Sequence, residues 1–146
     1  MDPSGTLTIG TQKWNVRGHA NYAMRTCGIR QCAAIYNLDW SVRPTTYGPY
    51  TTNLIRGRAV AGFEGAGLSV GVSYPAGVDA SFYDAGSHCD QGWWEGTATY
   101  VSVDYGSDTI CESNTLLFHT NAYLKITGAG RVGGSWTVKT VTDYNY

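Results

Sequence analysis

The sequence predicts an all-β fold: an antiparallel β-sandwich, or a strongly curved and partly closed barrel, of about ten strands stapled by disulfides. Three observations predict it. Apolar and polar residues alternate with period two from end to end, with almost no helical periodicity, which is the pattern of half-buried strands. Clusters of Gly, Pro, Asn and Asp interrupt that alternation where hairpin turns are needed. The 146-residue chain is also poor in charge (14%) and rich in aromatics (13%), with 19 glycines, four prolines and four cysteines. Disorder calls for few aromatics and high net charge, and collagen calls for a Gly-X-Y period, so both are excluded. The length corresponds to a single domain over 1–146, with residues 1–5 as a flexible N-terminal lead.

In chain order, the first strands expected are Leu7 to Ile9, Trp14 to Gly18 and Asn21 to Thr26. The clearest alternation follows, from Cys32 to Val42. Ala34, Tyr36, Leu38, Trp40 and Val42 fall on one face, and Ala33, Ile35, Asn37, Asp39 and Ser41 on the other. Leu54 to Phe63 comes next, then Leu68 to Tyr74, Val78 to Tyr83, Trp93 to Tyr105, Thr115 to Thr127, and Val132 to Thr142. Turns are expected at Pro75-Ala76-Gly77, Gly106-Ser107-Asp108 and Gly128-Ala129-Gly130. Glycines inside strands, Gly57, Gly62 and Gly71, mark bulges, bends or close approach of the two sheets. The Trp93 to Tyr105 and Thr115 to Thr127 patterns are long enough to bend across both sheets.

Cysteine usage bears on compartment. Cys27, Cys32, Cys89 and Cys111 allow three pairings, of which Cys27 with Cys32 across a tight turn and Cys89 with Cys111 is favoured. The competing reading is a metal site from Cys27, Cys32, Cys89 and His88, which lacks the second close pair of a zinc ribbon. Disulfides imply an oxidising compartment, hence a secreted, extracellular protein whose signal has been removed. The absence of an Asn-X-Ser/Thr sequon fits a bacterial or phage exterior slightly better than a eukaryotic one. No run of about 18 apolar residues predicts membrane insertion. Net charge −1 and a pI near 6.2 predict no general attraction to nucleic acid.

Chemistry concentrates between Asp84 and Glu95, where His88, Asp90, Gln91, Trp93 and Trp94 lie in what reads as a loop. A tryptophan there would stack on a sugar while Asp90, Gln91 and His88 hydrogen-bond its hydroxyls. A plainer reading sends one tryptophan of the adjacent pair into the core. As an acid and base, Asp90 and Glu95 would flank a glycosidic bond, which makes a small glycan hydrolase the enzymatic alternative. A second aromatic loop, Arg43 to Asn53, offers Tyr47 and Tyr50 either for recognition or as a cover over the barrel end. Arg56 and Arg58 share a strand face and are suited to a carboxylate or phosphate, although such pairs are commonly just solvated. His19, His88 and His119 are far apart in sequence, and no nucleophile elbow, Walker loop, dinucleotide fingerprint or zinc helix is present. The expectation is therefore a non-enzymatic recognition module without cofactor or metal. It would bind an extracellular protein or a surface glycan through aromatic loops, as an adhesin, toxin-complex adaptor or lectin-like module. A self-associating virion or surface subunit is the third reading.

Overall fold

The computed structural model describes residues 1–27, 30–65, 88–113 and 120–145, and among these the chain forms nine strands and no helix. They are β1 (Ser4–Ile9), β2 (Gln12–Cys27), β3 (Arg30–Pro44), β4 (Leu54–Gly65), β5 (His88–Glu95), β6 (Val101–Asp104), β7 (Thr109–Ser113), β8 (Thr120–Val132) and β9 (Ser135–Asn145). Every pairing is antiparallel. One sheet runs β1-β2-β3-β6, with β7 also paired to β3; the other runs β5-β4-β8-β9. No ladder joins the two sheets among the described residues, so the sandwich describes them better than a closed barrel. The strands expected at Leu68 to Tyr74 and Val78 to Tyr83, and the turn at Pro75, lie outside the described residues.

The sheets meet over one apolar core. Trp14, Val16, Ile35, Leu38, Trp40 and Val42 from the first sheet face Ile55, Phe63, Leu124 and Ile126 from the second, all essentially buried. Each such side chain contributes about 1.5–3 kcal/mol by leaving water. At Gly57 of β4 the layers leave no space for a side chain: a Cβ there would lie 2.3 Å from Cζ3 of Trp40, so only glycine fits under that indole.

The long alternation in β3 is broken once, which corrects the expected faces. Core residues are Ala33 and Ile35 before the break and Leu38, Trp40 and Val42 after it. The register pairs His19 with Asp39 and then Asn21 with Tyr36, so two β3 residues, Asn37 and Leu38, oppose the single residue Ala20. Asn37 has φ of 54°, a left-handed conformation that Asn tolerates better than most residues. This bulge shifts the phase by one residue and moves Ala34 and Tyr36 off the core face.

Three further expectations are corrected. Trp14 to Gly18 and Asn21 to Thr26 form one strand, β2, with its register shift between His19 and Asn21. Gly128 to Gly130 is no turn but lies within β8, where Gly128 and Gly130 make room for Val16 and Ile9 of the opposite sheet. The turn falls instead at Gly133 and Gly134, between β8 and β9. The 1–5 segment, expected to fray, is held. Ser4 and Gly5 belong to β1, and the amides of Gly18 and Ala20 donate to the carbonyls of Pro3 and Met1 at 2.9 and 3.0 Å.

Trp93 to Tyr105 is likewise two strands. The chain leaves one sheet after β5, crosses at residues 96–100 and enters the other as β6. The crossing is fixed by Trp14 Nε1 donating to Thr99 O at 2.8 Å, Thr52 Oγ1 to Ala98 O at 2.7 Å, and the amides of Thr99 and Tyr100 to Thr97 Oγ1. At the other end of β5 from this crossing, Cys89 bonds to Cys111 of β7, with Cα atoms 5.6 Å apart, and joins the two sheets covalently. Cys89 is thereby unavailable to the metal arrangement weighed above. The side chains of Cys27 and Cys32, and so their pairing, lie outside the described residues.

Candidate functional site

The residues expected in a recognition loop are found on a strand. His88, Asp90, Gln91, Trp93 and Trp94 belong to β5, the edge strand of the four-stranded sheet. Alternation along a strand sends neighbours to opposite faces, and Trp93 and Trp94 obey it. Trp94, opposite Gly57 in the register, meets the ring of Tyr105 edge-on at 6.4 Å. Trp93, opposite Arg58, lies on the outer face of the sheet. Both remain partly exposed, at 46% and 41%.

Between Asp90 and Trp93 the strand bulges, with Gln91 and Gly92 set against Ala59 alone. Gly92 sits at φ of 75°, a left-handed backbone that a side chain would strain. Asp90 holds this bulge in place. Its Oδ1 accepts the Gly92 amide and Arg58 Nε, both at 2.8 Å, and its Oδ2 accepts Arg58 Nη2. Asp90 is therefore bidentate to Arg58 and committed to positioning it. The Gln91 amide reaches back to the Cys89 carbonyl at 3.5 Å, and His88 lies exposed at the start of the strand.

On this outer face the four strands assemble an aromatic and cationic stack that sequence reasoning did not see. The Arg56 guanidinium lies over two indoles, 4.3 Å from the ring centre of Trp93 on β5 and 4.0 Å from that of Trp136 on β9. Arg131 approaches Trp136 at 5.6 Å, and Arg58 approaches Trp93 at 5.9 Å. Ala129, which the register sets between Arg56 and Val138 on the same face, is completely buried beneath this layer. Arg56 Nε is buried and, among the described residues, has no hydrogen-bond partner. Two ring contacts of about 0.5–1 kcal/mol each are thus set against an unpaired buried donor that costs about 1–3 kcal/mol. The stack adds little net stability.

Beside it lies a shallow depression of about 340 Å³ lined by Arg58, Val60, His88, Tyr123, Lys125 and Thr127. Four cations, Arg56, Arg58, Lys125 and Arg131, share this face with two described carboxylates, Asp90 and Glu95, whereas the whole chain carries −1. A second depression, of about 430 Å³ on the five-stranded sheet, has mixed charge from Asp2, Arg17, His19 and Asp39. There His19 Nδ1, 2.6 Å from Asp2 Oδ1, hydrogen-bonds the Asp2 carboxyl and holds it below its ordinary value of 3.8.

The second expected loop divides into two roles. Tyr47 is 97% exposed, whereas Tyr50 packs on Trp14 with ring centres 5.8 Å apart and donates its hydroxyl to Thr46 O. Gln12 secures the loop by donating to Pro49 O at 2.7 Å and accepting the Thr51 amide at 3.1 Å. Tyr50 is therefore a structural cover and Tyr47 an isolated exposed ring. Of the residues singled out in sequence, the fold gathers Trp93, Asp90 and His88 with Arg56 and Arg58 on one face, and it separates Trp94, Tyr47 and Tyr50 from them. Trp136, Arg131 and Lys125 were missed. Their one signal was alternation, since each shares a strand face with polar residues and none lies near Trp93 in sequence. Compared with family models, curated proteins and solved structures, the chain matches none.

Proposed function

We propose that the protein is a secreted, non-enzymatic recognition module that binds a cell-surface glycan through the outer face of its four-stranded sheet. The observation that carries this reading is the Trp93–Arg56–Trp136 stack beside a shallow polar depression. Exposed aromatic rings beside a depression lined by several donors are the chemistry of a ligand site, and the stack does little for the fold. The disulfide between Cys89 and Cys111 supports an oxidising, extracellular setting. Non-enzymatic action is favoured over glycan hydrolysis because Asp90, the expected acid or base, has its oxygens taken by Arg58 and Gly92. The tryptophans that serve are those of this face and not both members of the adjacent pair.

A glycan array probed with the non-reduced protein tests the proposal. Selective binding is expected, lost at least about tenfold in Trp93→Ala and Trp136→Ala and retained in Trp94→Ala, since the two outer rings hold Arg56 in place and Trp94 lies on the other face. Binding that survives both outer-face changes, in variants that remain folded, would remove this face as the site.

A further inference from the structure

Resting on that reading of the outer face, the geometry points to the class of glycan: we propose that it is a linear, anionic one, bearing sulfate or carboxylate groups. A guanidinium stacks through its flat face and hydrogen-bonds along its edge. The Arg56 guanidinium carbon lies over both Trp93 and Trp136, so the indoles hold it in place, and none of its N–H groups has a hydrogen-bond partner among the described residues. Its Nε is buried without an acceptor, and no described carboxylate lies within ion-pair distance of Arg56, Lys125 or Arg131. A neutral sugar would be read by the ring faces, but Arg56 covers the ring faces turned toward it. What the surface offers is therefore oriented N–H donors and positive charge, which suit oxyanions.

The cations also form a track. Arg131 pairs in register with Leu54, Ala129 with Arg56, Thr127 with Arg58, and Lys125 with Val60. Arg131, Arg56, Arg58 and Lys125 consequently follow one another along the strand direction over six residues of β8, about 20 Å at the usual strand rise. Arg58 is neutralised by Asp90, which leaves separated positive sites at Arg131, Arg56 and Lys125. That spacing suits a chain with repeating negative groups better than a single sugar. A single-stranded nucleic acid would also place phosphates on such a track, but it gains its affinity by stacking bases on open aromatic faces.

The test is calorimetric titration of the non-reduced protein, at about 150 mM salt, with a heparin octasaccharide. Its desulfated form, a form both desulfated and carboxyl-reduced, and a single-stranded DNA oligomer serve as comparisons. The intact octasaccharide should bind, and the fully neutral form should bind at least about tenfold more weakly. The desulfated form shows which anion matters. Arg56→Gln should weaken binding of the intact sugar about tenfold. Lys125→Gln, at an exposed position where folding is not at risk, should weaken it a few-fold. Arg43→Gln, whose guanidinium lies over Tyr100 instead, should leave it unchanged. Equal affinity for the neutral and anionic forms, lost only in the Trp93 and Trp136 variants, would overturn the anionic class and leave the glycan face standing. No binding to any sugar would overturn both proposals. Tighter binding of the DNA oligomer, lost in the same arginine and lysine variants, would assign the track to nucleic acid.

Discussion

The two faces of β4 are built on different physics. Inward, Gly57 sits beneath Trp40 at a distance that leaves no room for even a methyl group, and the site is closely packed. Outward, the adjacent Arg56 lies between two indoles on a face rich in charge, with its Nε buried and unpaired. Both use tryptophan. In the interior the indole holds the sheets together, and on the surface it holds a guanidinium in one orientation. The contrast separates residues that stabilise this protein from residues that equip it.

The sharpest way to break that comparison is at the interior pair. Trp40→Ala should destabilise the protein by about 3–5 kcal/mol in urea denaturation. Gly57→Ala should cost about 1–3 kcal/mol alone and much less in the Trp40→Ala background, because the clash disappears with the ring. Strict additivity in that double-mutant cycle would show that the sheets do not depend on this contact.

Removing the covalent link comes next. Cys89→Ala with Cys111→Ala opens a bridge spanning 22 residues, and chain entropy predicts a loss of about 3 kcal/mol. Because β5 is held to the other sheet by this bond, hydrogen exchange in β5 should accelerate more than in β8. Equal acceleration would place the disulfide's effect in the unfolded chain alone.

The smallest expected effect is the most informative. Trp136→Ala should change stability by less than about 1 kcal/mol, since the ring contacts it removes are offset by rehydration of Arg56 Nε. A destabilisation as large as that of Trp40→Ala would make the outer stack structural and erase the difference between the two faces.

Much of this fold was legible because strand alternation is local. The alternation of β2 and β4, the turn at Gly106 to Asp108, and the Cys89–Cys111 pair all follow from short-range patterns and cysteine arithmetic. The misread places are those where the backbone departs from regular pleating. The phase change at Asn37 looks in sequence like uninterrupted alternation, because Ala34 and Tyr36 are as apolar as the residues that replace them on the core face. The Trp93 to Tyr105 run does pass from one sheet to the other as its length suggested, but the break after Glu95 was hidden in it. In β8, the glycines at 128 and 130 imitate a turn because a residue too small for its strand resembles a residue needed for a bend.

The sequence by itself determined the class of structure, the low charge and the presence of aromatic residues with nothing obvious to do, since period-two patterning and composition act through nearest neighbours and solvent. Which aromatics would meet was decided only by the tertiary structure. Trp93 and Trp136 stand on β5 and β9, at opposite edges of one sheet, and they flank Arg56 only because β4 and β8 pair between those strands in one register. A shift of a single residue in that ladder would turn every outer side chain inward, and burial of Ile55, Ala59, Leu124 and Ile126 against the other sheet is what forbids it.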